Sequence, residues 1–248
     1  LPYFDVFRNR MKMGIFWYYF ETNRKKPPTV QKECTYPCQY INPNLNRDYL
    51  FRVSYFKNRI NLEVFHAITD GAGAINFLKE LAFKYLRLAH PKLAEKLGDD
   101  LDEMTSLNHD DSYMKNYKGR QKKIYRTHRA VQIHGRRLPI DQIGVIHGIV
   151  PVQELKKAAK EKGMTINSYV VGTFVWAIYQ SYLHGPPSKL PISINVPVNL
   201  RPYFNSNTNK NFFIMISAVF KPEKDDYTYE EVLEIIEESI SSQLKKDT

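Results

Sequence analysis

Across residues 59–89 the hydrophobic repeat changes within a few positions, and that change fixes the class of fold open to the chain. In residues 59–65 Ile60, Leu62 and Val64 alternate with Asn61 and Glu63, the two-residue repeat of a strand with one buried face. A short run, His-Ala-Ile-Thr-Asp-Gly at residues 66–71, intervenes. From about Ala72 to Ala89 the residues Ile75, Leu78, Ala82, Tyr85 and Ala89 then recur at helical spacing, and Pro91 stops the helix. A strand passed into an amphipathic helix across so short a turn requires a sheet with a helix packed on its face.

The remaining segments extend this pattern without an internal repeat. Residues 14–20 (GIFWYYF) and 48–56 are rich in aromatic and β-branched side chains and read as strands, the second joined to residues 59–65 through Lys57 and Asn58 as a hairpin. Residues 152–162 read as a helix closed by Gly163. Residues 167–182, with Thr165 as cap, are apolar nearly all round and are expected to form a buried core helix. Residues 191–198 alternate Ile192, Ile194, Val196 and Val198 with Ser193, Asn195 and Pro197, the proline marking an edge position or a frayed strand end. Residues 212–220 read as another strand, and Thr228 with Glu231 has the capping-box pattern opening a last helix to about Lys246. The expected fold class is α/β, mixed sheets flanked by helices.

Composition narrows the function classes. With 248 residues, 43% hydrophobic and 25% charged, 11 Gly and 14 Pro, collagen-like, low-complexity and disordered readings fail, and one large or two modest domains can bury a core without staples. The most apolar stretch, residues 167–183, is interrupted by Asn167, Ser168, Gly172, Gln180 and Ser181 and is too short to span a bilayer, so no membrane span is expected. Nothing at the start has the order of a signal peptide, which favours a cytoplasmic chain. The two cysteines, Cys34 and Cys38, lack a second Cys or His pair to complete a tetrahedral zinc set, so no metal is expected and the thiols are read as reduced.

Charge is uneven. The net charge is +10, and residues 112–140 carry Lys115, Lys118, Arg120, Lys122, Lys123, Arg126, Arg129, Arg136 and Arg137 with no acidic residue, after an acidic stretch at 99–111. Such a strip suits a nucleic acid, a membrane surface, an acidic carrier protein or a phosphorylated cofactor; the plainer reading is a solvated connector. The polar region at about 98–137 reads as an excursion or crossing between subdomains.

Of the seven histidines, only His66 follows a strongly patterned strand and precedes a helix opened by glycine. A rigid strand end presents its ring to a cleft, and an imidazole titrating near pH 6.5 serves as a proton acceptor near neutrality. Asp70 and Gly71 follow. On spacing alone the pair suits either catalysis or a His and an Asp that merely hydrogen-bond a loop.

The run His66-Ala67-Ile68-Thr69-Asp70-Gly71 resembles the HxxxDG signature of the chloramphenicol acetyltransferase-like superfamily of CoA-dependent acyltransferases, with Phe65 where many members have a first histidine. Pro197-Val198-Asn199-Leu200-Arg201-Pro202, trailed by Asn211-Phe212-Phe213, resembles a second family block. Residues 36–81 and 149–213 look most like bacterial alcohol acetyltransferase and condensation-domain-like members. The resemblance implies two α/β subdomains, here placed at 1–125 and 144–248 with a crossing segment at 126–143, and a site in a channel between them. It implies a catalytic pair, His66 as general base with Asp70, the carboxylate turned to a buried Arg201. Gly71 and Arg201 would support the site structurally, and Asn199 and Asn211 are substrate-channel candidates. It implies acyl-CoA as co-substrate, no tightly bound cofactor, and an alcohol or amine acceptor. Direct transfer agrees with the lack of a GxSxG nucleophile elbow. A condensation-type domain fed by an acyl carrier protein is the first alternative. A non-catalytic or nucleic-acid-binding member is the second, disfavoured because no RNA-binding or helix-turn-helix pattern is present. Family members run longer and carry a DFGWG-like segment; none precedes Thr248, so the second subdomain is expected to be incomplete.

Overall fold

The structure is a computed structural model that describes residues 4–33, 38–92, 111–119, 129–140, 142–184 and 187–244. It is of mixed α/β class, small sheets flanked by helices. In chain order, a 3-10 turn at Asp5–Arg8 precedes β1 (Asn9–Met13), β2 (Tyr18–Thr22), β3 (Gln31–Lys32), β4 (Phe51–Phe56), β5 (Arg59–Val64), α1 (Gly71–Ala89) and α2 (Ser112–Asn116). There follow α3 (Val152–Glu161), α4 (Ile166–Ser181), β6 (Ile192–Asn199), α5 (Arg201–Phe204), β7 (Phe213–Phe220) and α6 (Tyr229–Leu244).

The chain divides into two compact units. Unit 1 holds Leu1–Gly119, Leu138–Val145 and Asn199–Phe213; unit 2 holds Arg120–Arg137, Ile146–Val198 and Ile214–Thr248. The first unit therefore contains both the strand-to-helix junction at 66–71 and the loop that carries Arg201.

In unit 1, β4 pairs antiparallel with β5 and parallel with the short β3, while β1 and β2 form a two-stranded antiparallel sheet. The β4–β5 register sets Phe51 opposite Val64 and Val53 opposite Leu62, which puts the apolar set on one face. Arg52 and Glu63 are also opposed and form an ion pair on the other face. Strand β4 begins at Phe51, not at residue 48, because Arg47 and Asp48 adopt left-handed backbone, φ 55° and 64°, incompatible with a strand. Residues 14–20 do not form one strand. Gly14 donates to the Trp17 carbonyl at 2.7 Å and the intervening residues form the turn between β1 and β2; the aromatic content of the turn imitates a strand signal.

Helix α1 has the expected bounds but a different buried stripe. Gly73 and Phe77 are buried with Leu81 packed partly beneath, while Ile75 and Tyr85 are exposed. Asp70 caps the helix and is itself buried, so it sets the rotational phase: positions three, seven and eleven residues on face inward. Phe77 stacks on Phe7 at 4.0 Å between ring centroids and meets Phe4 and Phe51 edge-on at 5.3 and 5.4 Å. These rings, with Tyr49, Leu50, Val53 and Ile68, form the core of the unit.

In unit 2, Thr165 accepts from the Ser168 N–H at 3.1 Å to cap α4, and Gly163, at φ 69°, ends the approach from α3. Thr228 and Glu231 close the capping box of α6 at 2.8 and 3.2 Å. Helix α4 is not buried all round. Ser168, Gly172, Val175 and Tyr179 are buried while Val170 and Phe174 are exposed, because α6 and the β6–β7 sheet pack along one side. Gly172 permits the close approach to α6, since a Cβ there would lie 2.6 Å from the Leu233 side chain. Strand β6 shows the expected alternation, Ile192 and Val196 buried and Ser193 and Pro197 exposed, and among the described residues its proline sits in a two-stranded sheet where each strand is an edge. Among the described residues no helix is long and apolar enough to cross a membrane. Much of the basic strip, the polar region at 98–110 and Cys34 lie outside the described residues; Cys38 is an exposed thiol.

Replacing Phe77 with Ala removes three ring contacts at once and should lower stability by about 3–5 kcal/mol, read by urea unfolding. A loss below about 1 kcal/mol would show that these rings do not organise the core.

Candidate active site

The site begins where β5 runs out. Phe65 extends the ladder by one bond, donating to Leu50 O at 2.8 Å, and Ile68 then closes a turn by donating to Phe65 O at 3.1 Å. This turn splits the motif into two halves of opposite character. Residues 65–67 are exposed, whereas Ile68, Thr69 and Asp70 are buried. Ile68 enters the aromatic core, and the Thr69 hydroxyl donates to the Asn209 carbonyl at 2.6 Å. The His66 side chain thus stands on solvent while the residues just beyond it are anchored.

Asp70 is the anchor. Its Oδ1 accepts from the Gly73 N–H at 3.1 Å and from Arg201 Nη2 at 3.0 Å; its Oδ2 accepts from Arg201 Nη1 at 2.9 Å and from the Phe212 N–H at 2.9 Å. Burial opposes the charge, but the bidentate Arg201 and the two backbone N–H groups outweigh it and hold the carboxyl below its usual range. Arg201 is equally committed. Nε donates to Thr208 O at 2.8 Å, Nη2 also to Lys210 O at 2.7 Å, and Nη1 also to Asn199 Oδ1 at 3.0 Å. All five guanidinium N–H groups therefore have acceptors.

The other residues singled out from sequence fall around this pair. Asn199 Oδ1 accepts from both the Arg201 backbone N–H, at 3.1 Å, and its guanidinium. Asn211 Nδ2 donates to His66 O at 3.0 Å and to Ala67 O at 3.3 Å, so its carboxamide clamps the backbone that carries the imidazole. Gly71 is the first residue of α1, and a Cβ there would meet nothing within 4 Å. At Gly73 the backbone does come close to a neighbour. A Cβ on Gly73 would lie 2.5 Å from the Asn209 carbonyl oxygen and overlap the Thr69 hydroxyl.

The His66 ring meets the Phe213 ring edge-on, centroids 5.9 Å apart. Phe213 is held in turn by Tyr113, whose hydroxyl donates to Phe213 O and accepts from the Phe213 N–H at 3.0 Å. Ser112 and Ser206 hydroxyls pair at 2.7 Å beside it. Sequence reasoning missed Thr69, Gly73, Tyr113 and Asn209. The run Asn205-Ser206-Asn207-Thr208-Asn209 does signal a loop rich in side-chain to backbone bonds, but nothing in it names the carbonyls that Arg201 reaches. Tyr113 lies in the strip read as a connector and carries no pattern of its own. Among the described residues no three His, Cys, Asp or Glu side chains cluster as a metal site would require.

Comparison with known proteins adds little. No protein-family model matches the chain, and no curated protein matches it. Among solved structures it is similar to one described as "Molecular basis for condensation domain-mediated chain release from the enacyloxin polyketide synthase", with a TM-score of 0.44 and 13% identity over 95% of this chain and 52% of that one. The chain spans about half the length of that structure.

The depressed carboxyl gives a signed prediction. Stabilisation from Asp70 is fully present above its ordinary value of 3.8 and is lost as pH falls through the lower folded value. Asp70→Asn should cost roughly 3–5 kcal/mol near neutrality by stranding the buried guanidinium, and the gap from the parent should close under acid. Urea unfolding of both proteins along a pH series tests this; a gap unchanged with pH would refute the ion pair.

Proposed function

We propose that the intact protein is an acyltransferase in which His66 is the general base. The reading rests on the resemblance of its two motifs to the CoA-dependent acyltransferases, and one geometric observation supports it: an exposed imidazole on a backbone clamped by Asn211 and anchored two ways through Asp70 and Arg201. In this scheme a nitrogen of the neutral His66 ring takes the proton from the acceptor O–H or N–H as that atom attacks the thioester carbonyl. The C–S bond breaks, and the departing thiolate regains the proton from the imidazolium as free thiol. No acyl-enzyme forms, so no side-chain nucleophile is needed.

Asp70 has a positioning task here, not a proton-transfer one. Its carboxylate accepts four hydrogen bonds, none from His66, and its depressed titration leaves it without a proton to give near neutrality. Asn199 steadies Arg201, and Asn211 fixes the main chain under the base.

The acyl donor is acyl-CoA. A carrier protein's phosphopantetheine presents the same thioester, and the test separates the two. Free thiol release is followed for the intact protein with acetyl-CoA and longer acyl-CoAs against alcohols and amines, and in parallel with acyl-loaded carrier protein. His66→Ala should reduce the rate at least about a hundredfold with melting unchanged, since the ring lies outside the core. A variant that keeps the parental rate would overturn the role of His66, and turnover with the carrier-bound donor alone would overturn acyl-CoA as donor.

A further inference from the structure

The hairpin β1–β2 displays an apolar surface that the proposed chemistry does not use. Met13 is 75% exposed, Ile15 84%, Phe16 88%, Trp17 66% and Tyr18 63%. These side chains are contiguous, and soluble monomers rarely leave a patch of this kind in water without a use for it. Among the described residues the two strands form a sheet by themselves, so both outer edges lack a neighbouring strand.

The residues are ordered along the hairpin. At the turn stand Ile15, Phe16 and Trp17; the next rung pairs Met13 with Tyr18, then Lys12 with Tyr19, Met11 with Phe20, and Arg10 with Glu21. Arg10 is neutralised by Glu21 at 2.5 Å. Lys12, and Arg24 and Lys26 just beyond the base, are exposed. From the tip downward the hairpin thus carries aliphatic and aromatic side chains, then Tyr18 and Tyr19 with the cation Lys12 level with the second, then the half-exposed Met11 and Phe20, with Arg24 and Lys26 beyond the base. In a bilayer leaflet apolar side chains enter the hydrocarbon, Trp and Tyr favour the interface and Lys and Arg the anionic headgroups, which suits an apolar tip followed by tyrosines with Lys12 beside them. At about 3.3 Å per residue, Lys12 lies roughly 7 Å from the turn, within the 5–10 Å depth to which interfacial apolar faces sink.

From this order we infer that the β1–β2 hairpin anchors the protein peripherally on anionic membranes by inserting Ile15, Phe16 and Trp17 into the leaflet. A protein partner would need a cleft shaped to consecutive bulky side chains around a convex turn, whereas a bilayer needs no preformed shape, and the cationic stem selects an anionic surface. This role is independent of the reading given to His66.

The test uses vesicles of phosphatidylcholine alone and of phosphatidylcholine with phosphatidylserine. The chain has 2 Trp, and Trp176 lies in unit 2 against Tyr179 and Tyr229, so Trp176→Phe leaves Trp17 as sole reporter. The expected result is co-sedimentation with the anionic vesicles, a blue shift of Trp17 emission, and quenching by lipids brominated on their acyl chains. Ile15→Asp combined with Phe16→Asp should weaken partitioning by at least about tenfold. Lys12→Glu should weaken it at least roughly fivefold on anionic vesicles and leave the weak association with neutral ones unchanged. Circular dichroism checks that the variants fold; should the double variant not fold, quenching of Trp17 in the otherwise unaltered hairpin decides. Absence of quenching, or binding that survives the double variant, would overturn the anchor. So would a Trp17 blue shift that needs no vesicles and grows with protein concentration, which would assign the face to a second copy of the chain.

Discussion

The bidentate pairing of Asp70 with Arg201 is the interaction on which the arrangement of the candidate site depends. The two residues are 131 positions apart, and the pair joins the strand-to-helix junction after β5 to the loop between β6 and β7. A buried ion pair contributes little net stability relative to apolar packing, but any arrangement that separates it leaves a buried charge unmatched. Because the Asp70 carboxylate accepts from four N–H groups and Arg201 satisfies all five of its own, alternative loop conformations pay that penalty several times over. The pair therefore selects one conformation more than it raises the total stability.

The exposure of His66 follows from this anchoring. Three successive residues beyond it turn inward, Ile68 into the aromatic core, Thr69 onto Asn209 and Asp70 onto Arg201. A backbone pinned so closely has little freedom left at His66, and Asn211 removes more of it by holding two consecutive carbonyls. The same inward turn sets the rotation of α1, so the buried stripe of the helix and the placement of the imidazole share one cause. Gly73 completes the contact, since any larger residue would drive α1 away from the Asn209 backbone.

Among the described residues, exposed apolar side chains differ in how many stand together. On α4, Val170 and Phe174 lie one turn apart on the helix face opposite the packed side, a pair of exposed apolar side chains of the size ordinary for soluble proteins. At the β1–β2 turn the exposed side chains from Ile15 to Tyr18 are consecutive and large, with the cation Lys12 on one side of them. Composition alone does not separate these cases; the difference is how many large side chains stand exposed together.

Periodicity in the sequence was enough to define the α/β class, the β4–β5 hairpin through Lys57 and Asn58, the capped starts of α4 and α6, and the alternation of β6, because each follows from local backbone preference and a two- or 3.6-residue repeat. The turn at 14–17 was hidden because its aromatic residues have high strand propensity whether or not they pair. The phase of α1 was misread because several apolar positions compete on a helix, and the choice among them is made by the buried cap at Asp70. His66, Asp70 and Arg201 stand out through motif resemblance, yet Thr69, Gly73, Tyr113 and Asn209 do not. Their partners are backbone groups distant in sequence, and a carbonyl carries no signature in the residue that bears it. Local order was thus determined by the sequence of side chains, while the partners of each buried polar group were decided only by the tertiary structure, since a hydrogen bond depends on which atoms meet and not on which residues are near in the chain.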